Sequence, residues 1–585
     1  MLEKEEDGGA VGSVENPLKE KTETERKFLI LDLGEIDFGG VEGAEIIQGY
    51  LVIEANGDEL RVRQKGEKYF LTKKSGSGVT REEDESEIPR EEFELLYSQT
   101  DGLRVEKTRY VIPYGNHNIE VDVFGGNLKG IITAEVEFGE GQDAVEFAPP
   151  QWLGQDVTES GVYSNQKLAQ LARELESVSG VQVERQNVGA EFGLREGLSL
   201  LVEKISYDMD INNVTVTAIA GGSASGKTSK VAEELVKVYE GRALMLSMDD
   251  YSLGSEYVRR LVEFGEDINY DMPSYIDIDL LARHIAMLKK GIAVWTPVFD
   301  FKTGETSPKM RLVKPKPLVV VEGLFALDNR IVAQADTGVF VDISMHGRAL
   351  RRLFRDVTRT SMVPNDILKY FAEVVDPMHE KYVQATKGQA DLIIENEYNP
   401  NIESGNAGNK ETQIKFQMTM AEADLLRMGA KLVGSFDQED SYFEPVNKNL
   451  RERGESVRIR QENSRTFFTY KGPKENGEVR KRDRFDAEID KVTADVFAKR
   501  YGKCVMELVK ARRVYKLGNI SVAIDSKILR MTEDGSESLP DHVEVCFDGN
   551  DIKDSDRMVL EELGLNMSDA VLESYQDLLR GTVEL

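Results

Sequence analysis

Four charged motifs occur twice in this chain, in the same order and at nearly constant separation, and this repeat limits the fold more than any other feature. Glu23-Thr24-Glu25-Arg26-Lys27-Phe28 returns as Glu411-Thr412-Gln413-Ile414-Lys415-Phe416. Arg61-Val62-Arg63 returns as Arg458-Ile459-Arg460, Phe70 to Lys74 as Phe467 to Lys471, and Lys107-Thr108-Arg109 as Lys510-Ala511-Arg512. The repeat predicts two related β-rich domains. Side chains on a strand alternate between its faces, so residues i and i+2 line up. Glu23, Glu25 and Lys27 then share a face, as do Arg61 with Arg63, Glu85 with Glu87, Lys107 with Arg109, Glu120 with Asp122, and Glu135 with Glu137. Between them lie apolar residues such as Val62, Ile119, Val121, Val123 and Val136.

The bland outcome of such alternation is an antiparallel sheet with one solvated face. Each strand is nearly single-signed, however, and neighbouring like charges destabilise a sheet unless opposite charge lies between them. A closed barrel with its charged face inward gathers the cations Lys27, Arg61, Arg63, Lys74, Arg81, Lys107 and Arg109 beside a set of carboxylates. That interior suits a polyanion held together with Mg²⁺ or Mn²⁺, hard cations that prefer oxygen ligands.

Between the repeats the pattern changes. Apolar runs (Val214 to Ala220, Leu318 to Val321) alternate with helical periodicity from Val214 to about Asn399, which predicts an α/β domain with a parallel sheet. The expected organisation is a disordered tail over 1–20, a first charged domain over 21–178 closing with a helix from Asn165, and a linker with a helix over 179–208. An α/β domain over 209–399, an Asn- and Gly-rich linker over 400–410 and a second charged domain over 411–585 follow.

The α/β domain carries Gly221-Gly222-Ser223-Ala224-Ser225-Gly226-Lys227-Thr228, directly after an apolar strand and before a helix-like segment. This is the P-loop pattern: backbone N–H groups cradle phosphates, Lys227 reaches the β/γ-phosphates of ATP, and the Thr228 hydroxyl meets Mg²⁺. The second acid expected at that metal is Glu322, which ends the run Leu318 to Val321.

Composition narrows the partners. The 585 residues hold 105 Asp+Glu against 74 Lys+Arg, a net charge of −31. Nucleic-acid binders meet phosphate with surface cations, so acidity argues against them, and against docking on anionic lipid. Two cysteines, Cys504 and Cys546, exclude a disulfide scaffold or a thiolate metal cluster. No apolar run approaches the roughly 20 residues that cross a bilayer, and the N-terminus lacks the features of a signal peptide. A cytoplasmic protein is expected, with small phosphates and nucleotides as partners, neither nucleic acid nor membrane, and homo-oligomer formation left open. Net charge does not disfavour small polyphosphates, because ligand choice follows local fields.

The first charged domain resembles a CYTH domain of the triphosphate tunnel metalloenzyme family. The likeness rests on Glu23-x-Glu25-x-Lys27, Gln48-Gly49-Tyr50, Arg61-Val62-Arg63, Glu106 to Tyr110, Glu120 to Phe124, Trp152-Leu153-Gly154 and Tyr163-Ser164-Asn165. The resemblance implies an eight-stranded antiparallel tunnel that hydrolyses a triphosphate with two metals. Glu23, Glu25 and Lys27 would be catalytic, and Arg61, Arg63, Lys74, Arg81, Lys107 and Arg109 would clamp the triphosphate. Glu23, Glu25, Glu120, Asp122, Glu135 and Glu137 would bind metal.

The central domain is similar to the uridine kinase family through Ser247-Met248-Asp249, Asn269 to Pro273, Phe299-Asp300-Phe301, Val321-Glu322-Gly323 and Arg351 to Asp356. That family's base maps to Asp249. Phe299-Asp300-Phe301 runs on into Lys302-Thr303-Gly304 without the family's histidine, which points away from uridine as acceptor.

The second charged domain resembles a CYTH domain in the style of class IV adenylyl cyclases. Its cations Lys415, Arg458, Arg460, Lys471, Lys510 and Arg512 are kept as an anion-binding set. Its acids are thinned: Gln413 replaces Glu25, Ala523 aligns with Glu120 and His542 with Glu135, while Glu411, Glu488, Asp525 and Glu544 remain. It is expected to sense or weakly process a phosphate ligand. A kinase-like domain followed by a degenerate CYTH domain is similar to plant triphosphate tunnel enzymes, which carry a C-terminal membrane helix. Here Thr582-Val583-Glu584-Leu585 ends the chain, and no such anchor is expected.

The leading expectation is metal-dependent hydrolysis of tripolyphosphate or a related triphosphate by the first domain. The alternatives are a small-molecule kinase with phosphate-sensing flanks, a non-catalytic polyphosphate or nucleotide sensor, and an adenylate cyclase.

Overall fold

The computed structural model describes residues 24–571 and Tyr575, apart from 55–57, 76–81, 140–143, 181–188, 265–269, 301–302, 404–408, 419, 447–448, 476–479, 533–534, 549–551 and 572–574. The expected tail over 1–20, and the site residues Glu23 and Arg81, lie outside the described residues.

The N-terminal domain is one antiparallel sheet. Its strands are β1 (Thr24–Ile30), β2 (Ala44–Ile53), β3 (Glu59–Lys65), β4 (Lys68–Ser75), β5 (Glu82–Glu87), β6 (Arg104–Tyr114), β7 (His117–Phe124), β8 (Ile132–Phe138) and β9 (Leu153–Asp156). They lie in the order β5-β4-β3-β2-β6-β7-β8-β1-β9. Burial follows the two-residue period. Ile119 and Val121 pack outward into an apolar cluster, while Lys27, Arg61, Lys107, Asp122 and Glu135 are buried on the opposite face. The inward charged face expected from single-signed strands is therefore present.

The central domain begins earlier than expected. Segment 179–208, read from sequence as a linker with a helix, supplies the strand β10 (Ala190–Gly193) and most of the helix Leu194–Ile211. β10 pairs in parallel with β19 (Leu392–Glu395), and Leu201 and Ile205 of the helix are buried against the sheet. The other strands are β11 (Thr215–Gly221), β12 (Ala243–Ser247), β17 (Leu318–Glu322) and β18 (Thr337–Asp342). The six form a parallel sheet in the order β10-β19-β18-β11-β17-β12. Two short hairpins, β13 (Val294–Thr296) with β16 (Arg311–Val313) and β14 (Phe299–Asp300) with β15 (Glu305–Thr306), stand beside it.

The C-terminal domain comprises β20 (Asn409–Gln417), β21 (Lys431–Pro445), β22 (Ser456–Glu462), β23 (Arg465–Lys471), β24 (Arg480–Ile489), β25 (Gly502–Leu517), β26 (Ile520–Thr532), β27 (Gly535–Leu539) and β28 (His542–Phe547). Eight of them close a ring, β25-β21-β22-β23-β24-β20-β28-β26, through the β25–β26 pairing, and β27 flanks β26. This is the cyclic order of the N-terminal sheet. That sheet shows no β5–β1 pairing among the described residues, where the C-terminal domain has β24–β20.

Matched registers correct one alignment made from sequence. Lys27 stands opposite Glu135, and Lys415 opposite Glu544. Glu544, not His542, therefore occupies the place of Glu135, and Cys546 that of Glu137. Sequence spacing misses this because the strand pair preceding β28 is longer than its N-terminal counterpart.

The three units share cores. Leu29, Tyr50, Val105 and Phe124 of the first domain cluster with Val216, Leu281 and Phe340 of the second. The helix Met345–Arg359, through Leu350, Leu353 and Phe354, clusters with Val457, Phe468, Tyr470 and Phe497 of the third.

Candidate functional site

The central cleft is built on the strand-to-helix turn after β11. At φ +86°, Gly226 occupies left-handed backbone, and a Cβ there would lie 2.4 Å from Asn396 Nδ2. That amide instead donates to the Ser225 carbonyl at 2.6 Å and fixes the loop. Ala224 holds φ +64° despite its Cβ, a strain of about 1–3 kcal/mol of the kind found at ligand sites. Lys227 opens the helical segment that follows.

Thr228 Oγ1 donates to Glu322 Oε2 at 2.8 Å, and Ser247 Oγ donates to Glu322 Oε1 at 2.7 Å. Glu322 is buried and no cation pairs with it among the described residues, so this hydroxyl and carboxylate fit a hard divalent ion. Asp249 sits in the turn after β12. Burial pushes its carboxyl up to about 6; Glu322, Asp250 and Asp271 add to the rise, and Lys227 opposes it. Burial also raises Asp271, against the pull of Arg352, Lys227 and Arg355.

Two arginines of the helix Met345–Arg359 close the other side. Arg352 Nη1 donates to Ser223 Oγ at 3.0 Å, and Arg351 Nη1 donates to the carbonyls of Ala224 and Ser225 at 3.3 and 3.2 Å. Sequence reasoning used this segment only as a family match; three arginines within five residues were the available signal. Asn269, Phe301 and Lys302 fall outside the described residues.

In the N-terminal lumen the expected cations and acids meet as ion pairs. Lys27 Nζ lies 2.6 Å from Glu135, and Lys107 Nζ 2.6 Å from Asp122. Arg109 spans Asp122 at 2.6 Å and Glu135 at 2.7 Å and also pairs with Glu120. Burial alone would raise the Glu135 carboxyl, but Lys27, Lys107 and Arg109 hold it well below the usual carboxylate range. Further along, Arg61 pairs with Glu59 and Glu83, Arg63 with Glu85, and Lys74 with Glu83.

The proposed metal set is a different matter. Glu25 and Glu137 are exposed register partners, whereas Asp122 and Glu135 are engaged by cations. No three His, Cys, Asp or Glu side chains among the described residues converge as a metal cluster. The donor chemistry suits Mg²⁺ or Mn²⁺, but the described side chains do not assemble it.

The C-terminal lumen keeps the cations in a closed barrel. Lys471 pairs with Glu411 at 2.8 Å, Lys510 and Arg512 with Asp525 at 2.8 and 2.6 Å, and Arg458 and Arg460 with Asp440 at 3.1 and 2.6 Å. Lys415 Nζ stands 3.4 Å from the centre of the Tyr575 ring. Glu488 lies outside this set, exposed and paired with Arg465. Sequence reasoning missed Asp440, Arg482, Arg484 and Tyr575.

A parallel sheet, a strained glycine loop with Lys227 and Thr228, and a facing carboxylate define a P-loop phosphotransferase unit. The phosphoribulokinase/uridine kinase family model matches residues 216–402. A uridine kinase from Staphylococcus aureus is 37% identical over 183 residues, covering 31% of this chain and 86% of that protein. Through this domain the chain belongs to the phosphoribulokinase/uridine kinase family. The CYTH domain model matches residues 409–551. The crystal structure of an inorganic triphosphatase is 41% identical, over 25% of this chain and 94% of its own, with a TM-score of 0.22. A putative adenylyl cyclase from Hippeastrum, described as having dominant triphosphatase activity, is 16% identical over 30% of this chain and 97% of its own, with a TM-score of 0.23. No helix among the described residues is long and apolar enough to cross a membrane.

Proposed function

We propose that the central domain transfers the terminal phosphoryl group of ATP to the hydroxyl of a small molecule. One observation carries this reading: Asp249, its carboxyl poised near pH 6, faces the same cleft as Lys227 and the Thr228–Glu322 pair. The loop N–H groups and Lys227 bind the β- and γ-phosphates. A divalent cation held by Thr228 and Glu322 would supply Lewis-acid neutralisation of the phosphoryl oxygens. The acceptor oxygen attacks the γ-phosphorus, the bond to the β–γ bridging oxygen breaks, and ADP leaves. The acceptor proton passes to Asp249, a base whose affinity for protons suits neutral pH. Arg352, anchored on Ser223, adds positive charge beside the transferred group. ATP incubated with a panel of sugars, nucleosides and polyols tests the reading: ADP formation that requires an acceptor and disappears in Lys227→Ala supports it. Acceptor-dependent turnover that survives Lys227→Ala refutes it.

A second reading is favoured by the matched strand order and the inward cations of the N-terminal sheet. We read it as a second CYTH domain that hydrolyses tripolyphosphate or a related triphosphate. Phosphate release from tripolyphosphate should vanish in Arg109→Ala and persist in Lys227→Ala.

A further inference from the structure

The C-terminal barrel lacks several acids that the N-terminal sheet carries at matching positions. By register, Gln413 stands where the first domain has Glu25, and Cys546 where it has Glu137. Ala523, two residues before Asp525, takes the place of Glu120, two before Asp122. Arg484, opposite Lys471, replaces Glu83, opposite Lys74. These four acidic positions are neutral or basic while the cations remain, and one acid is gained, Asp440 at the place of Gln48.

The carboxylates of this lumen are committed to cations. Glu411 pairs with Lys471 and Arg484, Asp440 with Arg458 and Arg460, Asp525 with Lys510 and Arg512, and Glu544 with Arg512. A carboxylate shared by two cations is a poor metal ligand, since coordination would leave both buried cations uncompensated. The divalent metal implied by the CYTH fold does not fit this lumen.

An anion does fit. The barrel encloses a cavity of about 420 Å³ whose lining includes Arg458, Arg460, Lys471, Arg482 and Arg484. Arg458 and Arg482 are each 7% exposed; the Nε of Arg458 has no hydrogen-bond partner, and that of Arg482 has Glu411 Oε2 at 3.6 Å, an ion pair beyond hydrogen-bond length. Buried donors without acceptors are rare and call for a ligand or water. Guanidinium forks match phosphate oxygens in pairs.

We propose that the C-terminal barrel binds a short linear polyphosphate, such as tripolyphosphate or the triphosphate of a nucleotide, without a divalent metal and without hydrolysing it. The site is independent of the phosphotransfer assigned to the central cleft. Calorimetric titration of the full chain with tripolyphosphate in excess EDTA tests it. One ligand per chain is expected to bind, with affinity falling steeply as salt rises. Arg482→Gln and Arg484→Glu, the latter restoring the N-terminal domain's residue, should each weaken that binding roughly tenfold or more. Lys227→Ala and Arg63→Gln should leave it unchanged. Repeating the titration with ATP and with pyrophosphate separates the sources of the phosphate chain. Absence of binding in EDTA, or metal-free binding that both barrel variants retain, overturns the proposal.

Discussion

Replacing Asp249 with asparagine should cripple turnover and stabilise the protein at once. The carboxyl ordinarily ionises near 3.8 and is pushed up to about 6 in the cleft. A displacement of roughly two pK units corresponds to about 3 kcal/mol of penalty on the ionised form. The cleft is partly solvated, so roughly 1–3 kcal/mol of that is expected to register at neutral pH. The sign follows from the direction. Between pH 4 and 6 the native carboxyl keeps a proton that the unfolded one has lost, so stability falls as pH rises through this window. The uncharged amide of the Asp249→Asn variant avoids the penalty and should raise the unfolding midpoint at pH 7.5. Loss of the base should lower kcat about 10²–10⁴-fold. Wild-type kcat/KM should also decline below an inflection near pH 6. Acceptor-dependent ADP release across pH 5–8, paired with thermal melts, measures both effects. An inflection near 4, an active asparagine variant, or a variant less stable than wild type would refute the reasoning.

Three further outcomes are expected. Gly226→Ala places a methyl group 2.4 Å from Asn396 Nδ2 at a left-handed φ and should abolish measurable nucleotide binding, read by fluorescent ATP titration, while the fold persists by circular dichroism. Asp122→Asn removes the carboxylate paired with the buried Lys107 ammonium at 2.6 Å; unpairing a buried charge costs about 3–5 kcal/mol, so the first urea transition should move to lower concentration. His284 accepts or donates at Tyr251 OH (2.9 Å) and bonds the Lys129 carbonyl (3.0 Å), and burial lowers its imidazole to about 4. Its contribution is full above pH 6.5 and lost as pH falls toward 4, opposite in sign to Asp249; His284→Asn should flatten that acid loss in melts between pH 4 and 7.

The architecture was legible where chemistry repeats at fixed intervals. Alternating charge predicted the inward face of both β-domains, and the glycine loop located the nucleotide cleft, because both are local signals. Partnership between strands was not legible. That Glu135 corresponds to Glu544 depends on register, which hairpin lengths set and motif spacing does not record. Asp440 was invisible for the same reason: it replaces Gln48 on a strand whose neighbours, Arg458 and Arg460, are set only by the fold. Strand β10 escaped notice because four residues, Ala190–Gly193, carry too little periodicity to separate a strand from a linker.

The shared apolar clusters bear on how such a chain can be taken apart. Cutting after residue 178 would bare Leu29, Tyr50 and Phe124 on one fragment and Leu281 and Phe340 on the other. Cutting near 405 would strand Phe354 and Phe371 from Phe468 and Phe497, and split the buried contact of His346 with Glu455 and Tyr501. Excised pieces would therefore carry sticky wounds, and silence from such a fragment would report its aggregation before its chemistry. Point substitutions within the intact polypeptide are the way to assign each activity to its module.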